Sequence, residues 1–359
     1  MRKWLGLSIL LLVAGLVMAA TQFDWGSLQR AVPIKQDWVN LSIYYGGEKS
    51  RFLADPEVQE ILARYKIRLD AAKAGSIEQV TQLPITSKDC LWPSNQFAVD
   101  LARQSGKPVI SDNTVFSSVV TFYAWRPVTD ALIKLGIAQR DNNIVTVNTQ
   151  KLVALVKDNK RWKEDLGLDI YGTVKIFSTD PRRSNSGNMW AGLLADTLNG
   201  GNVVNQSDLP RVMPDVQHYF QSMGYMESNS GDVFETFLKQ GMGAHPMIVG
   251  YENQLVEFVL EHQEYRGVIQ DKIDILYPTP TVFVNHPLVA LTNNCKRLEA
   301  ALQDSQLQQL AWQRHGFRTG LLGVTNNPEV LQMGGIPETI NQIIPMPDGR
   351  VMQQMMDAL

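Results

Sequence analysis

The chain has 359 residues, of which 33 are basic and 36 are acidic, and its formal net charge is −3. This length is sufficient for two domains with separate hydrophobic cores. The sequence contains no run of basic residues and no basic stripe interleaved with aromatic residues, so we expect no nucleic-acid partner.

The N-terminus has the pattern of an export signal. Arg2 and Lys3 precede an apolar run over residues 4–20, and this run is short for a membrane span. Small or apolar residues near Ala19 predict cleavage after that residue, so residues 1–19 are expected to be a signal peptide. An uncleaved N-terminal membrane anchor is the alternative. In both cases we expect a periplasmic or extracytoplasmic location.

The first part of the chain alternates strands and helices. Residues 41–45 have the period of a strand and lead into a flexible polar loop at 46–50. Asp55 and Pro56 are typical of a helix start, and a second strand is predicted at 66–70, followed by a loop at 74–76. This alternation predicts an α/β fold with a parallel sheet, in which sites lie at the carboxyl ends of the strands.

The later part of the chain continues the alternation. Predicted strands cover residues 108–110, 117–125, 246–249, 273–277, 281–284 and 288–291. Predicted helices cover residues 97–104, 127–135, 149–159, 208–223, 231–240, 294–302 and 305–315. The tail at 346–359 is expected to be irregular, because the end of the chain is rich in Pro, Gly and Met.

The stretch at 177–190 is the most informative part of the sequence. An apolar, β-leaning run at 174–177 leads through a polar loop into an amphipathic helix. Ser184, Asn185 and Ser186 are all good N-cap types, and the glycine that follows permits close backbone approach. A helix start carries free N–H groups and partial positive charge, so it can hold an anion or a polar oxygen. A well-capped strand–helix turn without a ligand is the alternative.

The sequence contains none of the familiar enzyme motifs. It has no G-x-S-x-G elbow, no P-loop and no H-E-x-x-H pair, and its five histidines lack metal-ligand spacing. We therefore assign no catalytic residue, no metal site and no cofactor, and we do not expect an enzyme. The two cysteines, Cys90 and Cys295, are candidates for a disulfide in an oxidising compartment, and two free buried thiols are the alternative.

Several segments, taken in their order, resemble the bacterial periplasmic solute-binding proteins of the two-lobed, type II kind. The resemblance covers residues 38–320. Its segments are the export signal, the loops at 46–50 and 75–76, the run 115–127, the pair 179–187 and 250–254, the run 277–281, and the end at 308–318. The runs 115–127 and 277–281 resemble the two β crossovers that join the lobes of such proteins.

The resemblance implies a two-lobed fold in which each lobe is a sheet flanked by helices. The first lobe would combine residues 38–125 and 279–345, and the second would be 126–278. The chain would bind a small polar or anionic solute between the lobes and deliver it to a membrane transporter, such as an ABC transporter. A ligand-sensing or scaffold module acting on a membrane receptor subunit is the alternative. Cys90 and Cys295 would lie in the same lobe.

The resemblance also implies a set of ligand-binding residues on the loops that face the cleft. Hydroxyls, an amide and backbone N–H groups can replace the water around a small polar ligand. Glu48 and Glu252 would repel an anion unless they face outward or bind a cationic part. The implied residues are Gly47, Lys49, Ser50 and Ser76 in the first lobe, Ser117 and Ser118 in the crossover, and Ser184, Asn185, Ser186, Tyr251 and Glu252 in the second lobe.

Overall fold

The structure, a computed structural model, describes residues 37–321, 324–331 and 333–359. Contacts divide the chain into residues 1–39 and residues 40–359, and the fold described here is that of the second unit. The predicted signal peptide at 1–19 lies outside the described residues.

The described part of the chain contains nine named strands and fourteen α-helices, joined by short 3₁₀ turns. The strands are β1 (Val39–Tyr45), β2 (Ile67–Lys73), β3 (Cys90–Trp92), β4 (Ser111–Trp125), β5 (Ala138–Asp141), β6 (Ile144–Asn148), β7 (Met247–Tyr251), β8 (Ile273–Thr279) and β9 (Phe283–Ala290). The first helices are α1 (Ser50–Ala54), α2 (Pro56–Arg64), α3 (Glu78–Thr81), α4 (Gln96–Gln104), α5 (Arg126–Lys134), α6 (Thr149–Lys157) and α7 (Asn185–Leu198). The later helices are α8 (Leu209–Met223), α9 (Ser230–Gln240), α10 (Glu252–Glu261), α11 (Arg266–Lys272), α12 (Cys295–Leu302), α13 (Ser305–His315) and α14 (Gly349–Ala358).

The strands pair in the order β2-β1-β3-β9-β4-β8-β6-β5, and β7 pairs with β4 outside this path. β4 is long enough to take part in two halves of the sheet. Its residues from Ser111 to Val119 pair with β9, whereas those from Val120 to Trp125 pair with β7 and β8. We call the half with β1, β2, β3 and β9 the first lobe, and the half with β5, β6, β7 and β8 the second lobe.

A second connection runs beside β4 between the two lobes. It is the short segment between β8 and β9, and Val120 of β4 lies against it. The Val120 amide donates a hydrogen bond to the carbonyl of Val282 at 3.2 Å, and the Thr281 hydroxyl donates one to the carbonyl of Val120 at 2.7 Å. Two antiparallel chain segments therefore cross from lobe to lobe side by side, as the resemblance implies for the runs 115–127 and 277–281.

Local sequence signals explain where several helices begin. Asp55 accepts a hydrogen bond from the amide of Glu57 at 2.9 Å, and Pro56 occupies the first helical position of α2, as predicted. Asn95 caps α4 by accepting from the amide of Ala98 at 2.8 Å. β1 and β3 run parallel, so the loops that follow them and lead to α1 and α4 lie at the same end of the first-lobe strands.

Each lobe has its own apolar core, and a disulfide reinforces the first. Leu91, Val99 and Val289 pack together in the first lobe, while a much larger cluster around Trp190 fills the second. Cys90 of β3 is joined to Cys295 at the start of α12, with 5.6 Å between their Cα atoms. The chain beyond β8 thus returns to the first lobe.

Four runs predicted to be extended differ in the structure. The runs 281–284 and 288–291 form a single strand, β9, because Pro287 lies beside an irregularity in the β4–β9 pairing where a missing N–H is tolerated. Residues 174–177 form only an isolated bridge, between Phe177 and Ile248. Residues 108–110 precede β4, since the amide of Val109 donates to the carbonyl of Lys107 in a turn.

The prediction of an irregular tail at 346–359 is wrong for most of its length. Asp348 caps α14 by accepting hydrogen bonds from the amides of Arg350 and Val351, at 2.8 and 3.0 Å. Val351, Met352 and Met355 are buried along one side of the helix. α14 packs against α8 of the second lobe and also against α4 of the first. The Pro, Gly and Met content of the tail suggested irregular structure, although the segment contains an N-cap residue and the spacing of an amphipathic helix.

We predict that Met355→Ala lowers the free energy of unfolding by about 2 to 5 kcal/mol, the usual cost of truncating a buried Met. The side chain of Met355 is fully buried in the second-lobe core. Gln354→Ala, on the exposed side of the same helix, should change the free energy by less than about 0.5 kcal/mol. Urea denaturation of both variants measures the difference, and equal midpoints would show that α14 does not pack as described.

Candidate functional site

A tight polar turn holds the N-terminus of α7. Ser184 is the N-cap residue, and its side chain accepts no capping hydrogen bond. The carbonyl of Asp180 accepts hydrogen bonds from the amides of Arg183 and Ser184, at 3.1 and 2.9 Å. The carboxylate of Asp180 is paired with Arg182 at 2.9 Å. Burial alone would raise the pKa of Asp180, but its hydrogen bonds with Arg182 outweigh that effect and lower it. The turn thereby fixes where α7 begins.

Gly187 lets this turn pack directly on the first turn of α7. A Cβ atom at Gly187 would lie 2.4 Å from the carbonyl oxygen of Thr179 and 2.9 Å from backbone atoms of Pro181. The hydroxyl of Ser186 is hydrogen-bonded to the hydroxyls of Thr179 and Ser184, at 2.8 and 3.1 Å. The three hydroxyls form a polar group at the helix start, in which Thr179 and Ser186 are buried and Ser184 is half-buried.

The side chain of Asn185 connects this helix start to the first lobe. Its Nδ2 donates hydrogen bonds to the carbonyl of Ser94 and to the hydroxyl of Tyr251, both at 2.9 Å. Its Oδ1 accepts a hydrogen bond from the side chain of Asn95. Burial, and then the charge of Glu48, raise the pKa of Tyr251 well above its usual value, so its hydroxyl stays protonated. The side-chain amide of Asn185 therefore forms hydrogen bonds to residues of both lobes.

The first lobe contributes two loops that follow β1 and β2. The hydroxyl of Ser50 donates a hydrogen bond to the carbonyl of Gly47 at 2.7 Å, which closes the turn after β1. The hydroxyl of Ser76 accepts a hydrogen bond from the amide of Ser94 at 2.9 Å. A Cβ atom on Gly75 would lie 3.6 Å from the carbonyl oxygen of Arg183, so the first-lobe loop reaches the turn before α7.

A buried cluster of ionisable groups lies under the loop after β1. Lys49 forms an ion pair with Glu48, and its Nζ lies 3.1 Å from the hydroxyl of Ser94 and 3.2 Å from Nδ1 of His286. Burial opposes ionisation of Glu48, but Lys49 and His286 together hold the pKa of Glu48 well below its usual value. Burial, reinforced by the charge of Lys49, lowers the pKa of His286 from 6.5 to about 4, so His286 is neutral near pH 7.

A second buried ion pair lies beneath the start of α10. The guanidinium of Arg318 binds the carboxylate of Glu252 through two hydrogen bonds, at 2.6 and 2.8 Å, and the hydroxyl of Tyr277 donates a third at 2.6 Å. The backbone of Arg318 also bridges to Ser117 of β4. The charge of Glu252 is thus neutralised within the protein and is not directed at a ligand.

The two lobes enclose a cavity of about 1320 Å³. Its polar end is formed by the loops after β1 and β2, by the turn before α7, and by the start of α10, where Tyr251, Asn253 and Gln254 lie. Nδ2 of Asn253 is buried and has no hydrogen-bond partner within the described residues. The basic lining residues are Arg51, Lys73, Arg182, Arg183, Lys239 and Lys272, and the acidic ones are Glu48, Glu78, Glu235 and Glu257.

Lys73 and Arg183 are the basic residues closest to the polar end that have no acidic partner within the described part of the chain. Lys73 ends β2 and lies over Gly47, where an added Cβ atom would be 2.4 Å from Cε and 3.2 Å from Nζ of the lysine. Arg182, by contrast, is paired with Asp180. Each lobe therefore contributes one such cation to the polar end of the cavity.

The structure brings seven of the eleven predicted site residues to the wall of the cavity. These are Gly47, Ser50, Ser76, Ser184, Asn185, Ser186 and Tyr251. The other four lie behind it. Lys49 and Glu252 each form a buried ion pair. The hydroxyls of Ser118 and Ser117 donate hydrogen bonds to the side-chain oxygens of Asn253 and Asn285, both at 3.1 Å.

Sequence reasoning missed Lys73, Arg183 and Asn253, and it missed the aromatic side chains that line the cavity. Lys73 is the last residue of β2, so its place at the carboxyl end of a strand was a usable signal. Arg183 immediately precedes the N-cap of α7. Neither residue differs in local pattern from an ordinary surface cation, and the sequence alone favours a surface position for Arg183.

The described residues lack two features that would point to other functions. No group of three or more His, Cys, Asp or Glu side chains there could hold a metal ion. Among the same residues, no helix has both the length and the apolar character that crossing a membrane requires.

Comparison with known proteins identifies the fold. No family model and no curated protein matches the sequence. Iron-bound HitA from Pseudomonas aeruginosa is similar in structure, with a TM-score of 0.57 and 11% sequence identity, over 89% of this chain and 99% of that one. The ferric binding protein from Campylobacter jejuni has the same score and identity, over 89% of this chain and 96% of that one.

The periplasmic binding protein P5PA is also similar, with a TM-score of 0.52 and 12% identity, over 89% of this chain and 97% of that one. At such low identities the similarity shows the fold alone. The chain has the two-lobed, type II fold of periplasmic binding proteins, which confirms the fold class predicted from the sequence.

We predict that Gly187→Ala destabilises the protein by about 1 to 3 kcal/mol, because the contacts of the new Cβ are with rigid backbone. Gly267→Ala is the matched control, since a Cβ atom there meets nothing within 4 Å. Urea denaturation of the two variants gives the comparison. Equal stability of both would mean that the turn before α7 is looser than described.

A second prediction concerns pH. The unfolded chain protonates His286 below a pKa of 6.5, whereas the folded chain does so only below about 4, so lowering the pH favours unfolding in this window. Between about pH 7 and about pH 5 this group should remove about 2 kcal/mol of stability.

His286→Gln should therefore reduce the dependence of unfolding free energy on pH in that range, as measured by urea denaturation at several pH values. His218→Gln, on the exposed side of α8, should leave the dependence as it is. An unchanged slope in His286→Gln would contradict the prediction.

Proposed function

We propose that the chain is a solute-binding protein, not an enzyme, that holds a small anionic solute between its lobes outside the cytoplasm. The supporting observation is the charge of the cavity. In a protein with a net charge of −3, the cavity wall has six basic and four acidic residues. Arg51, Arg182 and Lys239 are paired with carboxylates, whereas Lys73, Arg183 and Lys272 have no acidic partner within the described residues. An anion is therefore favoured over a metal cation, although iron is present in the structure of HitA.

The arrangement of polar groups supports an anionic ligand. α7 begins at the cavity with an N-cap side chain that makes no capping bond, so its first amides and the positive end of its dipole are available to a ligand. Arg183 and Lys73 add a cation from each side. The hydroxyls of Ser76 and Ser184 can donate further hydrogen bonds to such a ligand, whereas that of Ser50 is used within its own turn.

Two of the carboxylates near the polar end are neutralised, while Glu78 lines the cavity and accepts a hydrogen bond from the amide of Gly75 at 3.0 Å. Lys49 neutralises Glu48, and Arg318 neutralises Glu252, each through a buried contact. The repulsion that these glutamates would exert on an anion is therefore compensated within the protein. The anion instead meets the unpaired cations Lys73 and Arg183.

The fold supplies a means of capturing the ligand and releasing it. Two chain segments connect the lobes side by side at Val120 and Thr281, which is the arrangement expected of a hinge. Rotation about these segments would widen the cavity. We infer that the closed form delivers the solute to a membrane transporter, with the export signal at 1–19 placing the protein on the outer side of the membrane.

We predict that inorganic phosphate, sulfate or a small organic acid raises the thermal midpoint of the mature protein, whereas sugars do not. Arg183→Ala or Lys73→Ala should weaken the affinity for the stabilising anion by about 10- to 100-fold, the usual worth of a charged hydrogen bond. Isothermal titration calorimetry measures the affinity. Binding should also weaken as ionic strength rises.

Lys134→Ala is the control for these variants, because Lys134 is an exposed cation at the end of α5 and does not line the cavity. It should bind the anion as the unmodified protein does. The proposal would be refuted if no anion in the panel bound, or if Arg183→Ala and Lys73→Ala both kept full affinity.

A further inference from the structure

One wall of the cavity is a continuous row of aromatic rings in the second lobe. Phe234 of α9 lies edge-on to Phe258 of α10, with 5.6 Å between ring centroids. Phe258 is 4.8 Å from His262, and His262 is 6.2 Å from Tyr265. All four side chains line the cavity, and Leu238 lies beside them. A bare inorganic anion would make no use of this surface.

The row lies at a definite distance from the polar end. Gln254, Phe258 and His262 are four residues apart in turn, so they follow one face of α10 from its N-terminus to its end. At about 1.5 Å per residue, Phe258 lies about 6 Å along the helix from Gln254, and His262 about 12 Å. The polar end and the aromatic row are therefore two parts of one cavity, separated by the length of a small organic molecule.

The size of the cavity agrees with this division. Its volume of about 1320 Å³ is larger than the usual range of about 300 to 1000 Å³ for small-molecule sites, so the cavity has room for an organic ligand. Buried aromatic side chains favour flat apolar groups, which stack or pack edge-on against them. A small oxyanion would leave most of this space, and the whole of the aromatic wall, in contact with water.

We propose that the ligand is an organic anion with a flat, preferably aromatic, body. Its charged group lies at the N-terminus of α7 between Lys73 and Arg183, and its body lies along α10 against Phe258 and Tyr265. This inference rests on the proposed function, because it assigns a ligand class to the same cleft. The buried, unpartnered Nδ2 of Asn253 supplies a donor near the junction of the two parts.

Two pairs of probes test the inference, each pair sharing a charged group and differing in the ring. They are phenyl phosphate with methyl phosphate, and 3-phenylpropanoate with propanoate. In at least one pair, calorimetry should show that the ring-bearing probe binds more than about 10-fold tighter, because an apolar ring is removed from water. Phenol, which has the ring without the charge, should bind more weakly than phenyl phosphate.

Variants then separate the two parts of the site. Phe258→Leu keeps an apolar side chain but removes the ring, and Tyr265→Ala changes a residue that is 52% exposed, so both should fold. Either variant should weaken the ring-bearing probe by about 3- to 10-fold and leave methyl phosphate unchanged. Tyr225→Ala, at an exposed tyrosine that does not line the cavity, is the control and should change neither.

The outcomes are distinguishable from those that test the proposed function. If methyl phosphate and propanoate bind as tightly as their ring-bearing partners, or if Phe258→Leu and Tyr265→Ala have no effect, this inference is wrong while anion binding stands. If no anion binds, with or without a ring, the proposed function fails and this inference fails with it.

Discussion

The charge of the cleft depends on two buried ion pairs, Glu48 with Lys49 and Glu252 with Arg318. Each pair places a carboxylate near the start of a helix and supplies its counter-ion from inside the protein. Removing one partner of such a pair typically costs about 3 to 5 kcal/mol, because the remaining charge is left buried alone. With these acids neutralised, the free cations at the rim and the helix N-terminus set the sign of the potential that a ligand meets.

The fold brings these groups together through strand order. The loops after β1 and β2 end at the same edge of the first lobe, and the short turn before α7 meets them from the second. Asn185 ties the two sides at one point by binding both Ser94 and Asn95. The aromatic row is separate from this contact and follows α10 away from it. The polar and apolar parts of the cavity therefore come from different elements, each positioned by its own packing.

The sequence is sufficient to predict the fold class and part of the cleft. Particular residues show which features of the site it does not predict. Ser184, Asn185 and Ser186 were found because capping residues and a glycine before an apolar helix form a local pattern. Lys49 and Glu252 were placed in the cleft because no local pattern tells an exposed charge from a buried one. Lys49 is paired with its neighbour Glu48, but His286, which lies against that pair, and Arg318, the partner of Glu252, are far away along the chain. Phe234 and Phe258 are likewise far along the chain from the first-lobe loops. Such pairings arise only from tertiary structure.

The C-terminal helix has a consequence for how far the lobes can separate. α14 rests on α8 of the second lobe and on α4 of the first, and the carbonyl of its last residue, Leu359, lies 3.3 Å from Nη1 of Arg182. A rotation that opened the cavity would have to separate α14 from either α8 or α4 and expose its buried methionines to water. α14 thus contacts both lobes, and the extent to which the cavity could open would depend on how many of these contacts break.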